Sequence, residues 1–362
     1  MKNSRVAWLL LLLTLPPAFA QYQTALPGYH YQFPRDHFSH SSYQTEWWYY
    51  TGNVKTSDGH RFGFELTFFR QGVDRPAEKQ NTWDVQDIYL AHLALSDLDS
   101  GEFYHAERTN RAGPGLAGVD ETHERTWNGN WDAQWKGNNQ DLHAVEERFS
   151  FSLSLSPAKL PVIHGENGVS QKAAGPGRAS HYISFTRLIT SGIIQLKGRS
   201  YSVTGLAWMD HEFFTHQLAL DQAGWDWLSL QLSDNSEIML YRIRKKDGTA
   251  DPFSSATYVD SQGKSFHLRA GDFSLQPAME IWKSPATAAS YPIHWKIEIP
   301  GLNIHLDVST PLPSQELAGQ TNLLPAYWEG AIAISGTRGQ TPLSGVGYLE
   351  MTGYARPMVF GP

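Results

Sequence analysis

The chain has 362 residues, of which 41% are hydrophobic, 13% aromatic and only 18% charged, and it contains no cysteine. That composition excludes an intrinsically disordered chain, a disulfide framework, thiolate metal sites and a thiol nucleophile. With 29 basic against 36 acidic residues the net charge is −7, so nucleic acid is not an expected partner.

Lys2 and Arg5 precede an apolar run from Val6 to Leu15, and Ala18-Phe19-Ala20 follows Pro16 and Pro17. This is the layout of a secretory signal over residues 1–20, cut after Ala20, and it predicts a secreted or periplasmic mature protein. The run is too short to cross a bilayer, and no later stretch is long and apolar enough to do so. Beyond the leader, Phe62–Phe69, Phe149–Leu155 and Asn303–Val308 alternate or are rich in β-formers, and Asp58-Gly59, Asp234-Asn235 and Asp247-Gly248 read as hairpin turns. A short helix is expected over Thr215 to Ala223, and the Gly- and Pro-rich stretch Gly165 to Gly177 reads as a surface loop. The fold class is all-β and antiparallel.

The two halves echo each other. Trp48–Val54 with Phe62–Arg70 pairs with Trp227–Leu232 and Ile238–Arg244. His92–Asp97 with Gly101–Phe103 pairs with Thr257–Asp260 and Gly263–Phe266. Gly192–Gly198 pairs with Gly330–Gly336, and Val203–Asp210 with Leu343–Glu350. Each half spans roughly 170 residues, a size that suits a barrel of about eight strands. The expected domains are therefore a barrel over residues 21–215 and a second over 216–362; nothing in the sequence specifies an oligomeric state.

The chemistry centres on the strand ending at Asp210. Side chains two apart share a strand face, so Thr204, Leu206, Trp208 and Asp210 point one way, and Val203, Gly205, Ala207 and Met209 the other. Tyr348 and Glu350 repeat the aromatic-x-acid spacing, and Glu46 and Trp48 present it reversed. A carboxyl packed against an indole is disfavoured as an anion and can donate a proton near neutral pH; the alternative is an acid that only holds the barrel together. His211-Glu212 continues to His216, one residue too long for the helical His-Glu-x-x-His zinc motif, so no metal is assigned. His181 lies one strand earlier. The aromatics Trp48, Trp208, Trp225, Trp227 and Trp328 suggest an apolar lining able to steady a cation. No serine-hydrolase elbow, phosphate loop or dinucleotide fingerprint occurs, and no cofactor is called for.

Glu46-Trp-Trp-Tyr-Tyr-Thr-Gly-Asn53, Phe62–Arg70, Gly205-Leu-Ala-Trp-Met-Asp-His-Glu212, Gly224-Trp-Asp-Trp227 and Tyr327-Trp-Glu-Gly330 together resemble the AttH-like family, often labelled predicted secreted hydrolases and related to carotenoid 1,2-hydratases (hydroxyneurosporene synthases). The resemblance runs from about Gln32 to Ala355 and implies two lipocalin-like barrels packed together. It also implies acid-catalysed hydration of a carbon–carbon double bond, with Asp210 as the proton donor, Trp208 as the aromatic two before it and His181 as the histidine one strand earlier. On this chain's own residues the expectation is that Trp208, Trp225, Trp227 and Trp48 face the substrate with Glu212, and that His181 or His211 orients water. Where that branch carries Tyr before the Asp and Asn after its His, this chain has Trp208 and Glu212. The expected partner is a small apolar, isoprenoid- or polyene-like molecule. The rival readings are a carrier without chemistry, and a hydrolase that needs a metal at His211 and Glu212.

Overall fold

The computed structural model describes residues 22–73, 85–113, 115–318 and 326–358; the leader and its cleavage point lie outside them. Helix is confined there to single turns at Arg35–His37 and Pro300–Leu302. The strands of the first half are β1 (Thr45–Lys55), β2 (Arg61–Gly72), β3 (Asp87–Asp97), β4 (Glu102–Arg111), β5 (Ala117–Asp120), β6 (Arg125–Asn128), β7 (Trp131–Lys136), β8 (Asn139–Val145), β9 (Phe149–Pro157), β10 (Val162–Ile163), β11 (Ser170–Gln171), β12 (Ala179–Leu196) and β13 (Arg199–Phe214). Those of the second are β14 (Gln222–Leu232), β15 (Glu237–Lys245), β16 (Ser255–Val259), β17 (Ser265–Arg269), β18 (Ser274–Pro277), β19 (Ile281–Lys283), β20 (Ser290–Pro292), β21 (His294–Ile299), β22 (Ile304–Ser309), β23 (Glu316–Leu317), β24 (Tyr327–Arg338) and β25 (Thr341–Met351).

The first sheet runs β4-β3-β2-β1-β13-β12-β9-β8-β7-β6-β5, with β10 and β11 on β12, and curls into a nearly closed barrel. The second runs β17-β16-β15-β14-β25-β24-β22-β21-β18, with β23 on β24, and forms a half-barrel. Both are antiparallel, so the all-β double-barrel expectation is met. Alternation decides what each strand buries. Trp48 and Tyr50 of β1 point into the first barrel, where Phe64, Trp131, Phe151 and Met209 fill the interior. Trp295, Trp328 and a set of Ile and Leu side chains fill the second. The opposite faces of β1, β12, β13, β14, β15 and β25 meet each other, packing Tyr49, Tyr182, Trp208, Trp227, Tyr241 and Tyr348 between the barrels.

Strand pairing makes the internal repeat exact at the residue level. Asp210 lies opposite Tyr49 on one side and Ser184 on the other, while Glu350 lies opposite Trp227 and Glu329. The barrels are joined by matched bonds that an approximate twofold axis exchanges. Asn53 Nδ2 donates to the Gly347 carbonyl at 2.9 Å, and Gln231 Nε2 donates to the Ala207 carbonyl at 2.8 Å. This is the reciprocal pattern of a two-fold contact between like surfaces. The contact is close: a Cβ on Gly63 of β2 would sit 2.8 Å from the Ala331 Cβ of β24.

Several sequence expectations need correction. Trp48 is not the counterpart of Trp227; the register gives that place to Tyr49. Gly192, opposite Val203, matches Gly336, opposite Leu343, rather than Gly330. At both matched glycines the neighbouring strand leaves no room for a side chain, since a Cβ would fall 2.1 Å from the Ser152 oxygen and 2.0 Å from the His305 oxygen. No helix forms over Thr215 to Ala223; β14 begins at Gln222, and Gln217 is turned inward to Glu212. The stretch from Gly165 to Gly177 is not a plain surface loop, because Val169, Lys172 and Ala173 are buried.

Candidate functional site

One cavity lies between the barrels rather than inside either one. Its volume is about 130 Å³, where one water needs roughly 10–15 Å³. Outward positions of β1 and β2 supply Trp47, Tyr49, Thr67 and Phe69; those of β14 and β15 supply Trp225, Trp227, Tyr241 and Ile243. β13 contributes Asp210 and Glu212, β25 contributes Glu350, and the segments before and after β12 and β13 bring in Lys172, Gln217 and Leu218. Thus the walls are largely aromatic, and three buried acids, Asp210, Glu212 and Glu350, face the same space.

Asp210 is buried, and its carboxyl is held from three directions. Tyr182 Oη donates to Oδ2 at 2.5 Å, while Trp208 Nε1 at 2.6 Å and the Ser184 hydroxyl both donate to Oδ1. Trp227, from the second barrel, donates its Nε1–H to Tyr182 Oη at 2.9 Å. Behind Ser184, its Oγ meets His164 Nε2 at 2.7 Å, and His164 Nδ1 meets Thr257 Oγ1 at 2.8 Å. Because Ser184 donates to Asp210, its lone pair takes the His164 Nε2–H, and His164 Nδ1 takes the Thr257 proton. Burial holds the His164 imidazole well below its ordinary pKa, consistent with this neutral form. Burial also raises the Asp210 carboxyl to about 7, against the lowering effect of its three hydrogen bonds.

Glu350 occupies the matching place on the second barrel with different company. It accepts a single indole bond, from Trp225 Nε1 at 2.7 Å, and faces another carboxyl, Glu329, where Asp210 faces Ser184. Tyr49 of the first barrel donates to Glu329 Oε1 at 2.6 Å. Burial raises Glu350 to about 8, with the charges of Glu65, Glu212 and Asp210 adding to it. Burial together with Glu350 and Glu65 pushes Glu329 well above the carboxylate range, and burial raises Glu65 to about 7. Glu212 is raised by burial as well, with Lys172 pulling the other way.

The remaining predicted residues divide by strand face. Trp225, Trp227 and Glu212 line the cavity. Trp208 does not; its ring is buried beneath Asp210 and acts by gripping the carboxyl. Trp48 points into the first barrel and stacks on His211. The expectation that His211 or His181 orients water at Asp210 is corrected, because both side chains lie on the opposite faces of their strands. His211 Nε2 meets Glu46 Oε1 at 2.9 Å, and His181 packs against Phe213 and Tyr29 while its Nδ1 meets the Gly168 carbonyl at 3.1 Å. The same alternation separates His211 from Glu212, which removes the metal pair needed for the hydrolase reading.

Among the described residues, His40 Nδ1, Glu46 Oε1 and His211 Nε2 do lie within 4.8 Å of one another. Those atoms already bond to each other, at 2.8 Å and 2.9 Å, and Arg70 Nε sits 3.0 Å from the second Glu46 oxygen. Burial works against the charge on Glu46, yet His211, His40 and Arg70 hold its carboxyl well below its ordinary pKa. This cluster is a charge network tying the segment around His40 to the first barrel. Sequence reasoning missed His164, Ser184, Tyr182 and Lys172. Tyr182 and Ser184 were within reach, since they stand one and three residues beyond His181 on the face that meets Asp210.

The model of the AttH-like family matches residues 24–354. An AttH protein from Nitrosomonas europaea is 31% identical, with a TM-score of 0.82, over 92% of this chain and 99% of that one. Kievitone hydratase from Nectria haematococca superposes with a TM-score of 0.69 at 17% identity, over 93% of this chain and 97% of that one. The protein CghA does so with a TM-score of 0.53 at 11% identity, over 87% of this chain and 90% of that one. No curated protein matches the sequence.

Proposed function

This chain belongs to the AttH-like family, and from that premise we propose that it is an exported hydratase adding water across a carbon–carbon double bond of a small apolar, isoprenoid-like molecule held between its barrels. The observation that carries the reading is Asp210, a buried cavity-lining carboxyl raised to about 7, which keeps a proton near neutrality. Ser184 and Trp208 both donate to Oδ1, whereas Oδ2 accepts from Tyr182 alone and has a lone pair left to carry that proton. A double bond lying against Oδ2 takes the proton at its less substituted carbon; the new C–H bond forms from the π pair and the carboxylate is left behind. The aromatic rings of Trp225, Trp227 and Tyr49 face the resulting cation, each worth up to ~2 kcal/mol where water is excluded. Water adds to the cation, and its surplus proton returns to the Asp210 carboxylate, closing the cycle. Trp208, Tyr182 and Ser184, with His164 and Thr257 behind, hold the anion between the two steps. The shared fold with a protein named as a hydratase supports this reading.

The test is a panel of acyclic isoprenoid alkenes incubated in isotopically labelled water, with mass spectrometry of the products. Label incorporated into a tertiary alcohol by the native protein, and lost in Asp210→Asn, is the expected result. Recovery of every alkene unaltered would favour the carrier reading.

A further inference from the structure

One end of the cavity is built to hold a polar group that the hydration chemistry does not use. Lys172, delivered by the Gly-rich stretch between β11 and β12, is only 6% exposed, and its ammonium lies 3.7 Å from the centre of the Tyr241 ring and 5.0 Å from that of Tyr182. Its contact with Glu212 Oε2 is 3.7 Å, longer than a hydrogen bond. Glu212 Oε2 already accepts from the Ser180 hydroxyl, and from Gln217 Nε2 at 3.3 Å. The other end of that amide, Gln217 Oε1, is buried and has no partner among the described residues. An unpaired buried carbonyl carries a desolvation cost that a ligand donor would relieve. Lys172, Glu212 and Gln217 all line the same cavity.

We propose that this corner is a binding subsite for a hydroxyl group, alcoholic or phenolic, on an otherwise apolar alkene. The inference rests on the cavity being the ligand site and deepens the function proposed above. A hydroxyl accepts from Lys172 Nζ and donates to Gln217 Oε1 at once. An ether only accepts, and a carboxylate only accepts and also meets Glu212. Asp210 and Glu212 are two residues apart on one strand face, which sets the hydroxyl roughly 7 Å along β13 from the reacting carbon. The ligand class is therefore an alkenol or alkenylphenol with its double bond several bonds from the oxygen, rather than a bare hydrocarbon polyene.

The experiment is titration of the full mature chain with geraniol and with geranyl methyl ether, followed by the fluorescence of the tryptophans around the cavity. The native protein is expected to bind the alcohol about tenfold or more tightly than the ether. Lys172→Met and Gln217→Leu should bring that ratio close to one, with melting curves showing that each remains folded, whereas Asp210→Asn should keep it. Equal affinities in the native protein, as for a corner that holds only water, or no binding of either probe, would overturn the subsite. That comparison needs no variant to fold. Discrimination that persists without any product formation would leave the subsite standing and remove the hydratase reading; product formation with no discrimination would do the reverse.

Discussion

Asp210 and Glu350 stand at matching positions of the two barrels, each two residues after an aromatic and each opposite an aromatic of its own barrel's opening strand. Their partners make them different acids. Asp210 receives three hydrogen bonds and faces a serine, and burial lifts it to about 7. Glu350 receives one indole bond and faces Glu329, and burial, with the charges of Glu65, Glu212 and Asp210, raises it to about 8. An acid whose pKa sits near the working pH, with donors ready to hold its anion, can give up a proton and take it back. An acid opposite another carboxyl and lacking that cradle has fewer donors to hold its anion. Two carboxyls at matched positions thus line one cavity, and under the proposed function the residue opposite each, Ser184 or Glu329, separates their roles.

That contrast breaks most plainly under substitution. Asp210→Asn is expected to lower the hydration rate by about a thousandfold or more, the scale of a lost general acid, while Glu350→Gln lowers it by less than about tenfold; equal losses in rate assays would erase the distinction. The pH profile sharpens it next. Since the donor must be protonated, kcat/KM should fall about tenfold per pH unit above about 7. Ser184→Ala removes a bond that favours the anion, so it should move this falling limb to higher pH; a shift to lower pH would contradict the role given to Ser184.

Stability offers a third handle. Glu350 is raised in the folded protein, so its contribution is fully present below the unfolded value of 4.5 and is lost as the pH rises through about 8. Glu350→Gln should therefore flatten the decline of the unfolding free energy, read from urea titrations, across that window, by at most about 1.4 kcal/mol for each pH unit. Smallest of all, Asn53→Leu and Gln231→Leu each remove one of the matched bonds between the barrels. Each should cost about 1 kcal/mol in urea unfolding, and the near-equality of the two losses is the point of the comparison.

The fold was legible because it is written in long-range regularities: alternation, turn residues and a repeated strand order. Extending the alternation argument one residue past Asp210 already places His211 on the wrong face, and the same count from His181 points to Tyr182 and Ser184. Lys172 and His164 were not legible in this way. They come from irregular segments whose path is set by packing, with glycines such as Gly165 allowing close approach to the Val169 backbone. The location of the cavity was equally hidden. Large side chains such as Trp48, Trp131 and Trp295 occupy the two cores, and the place of this cavity between them follows from that packing, not from sequence pattern.

The most direct measurement is infrared difference spectroscopy of the protein, native against Asp210→Asn, through a pH titration. A protonated carboxyl signal that belongs to Asp210 at mildly acidic pH and disappears with a midpoint near 7 is the predicted result. An Asp210 carboxylate already ionised at pH values well below that midpoint would contradict the account.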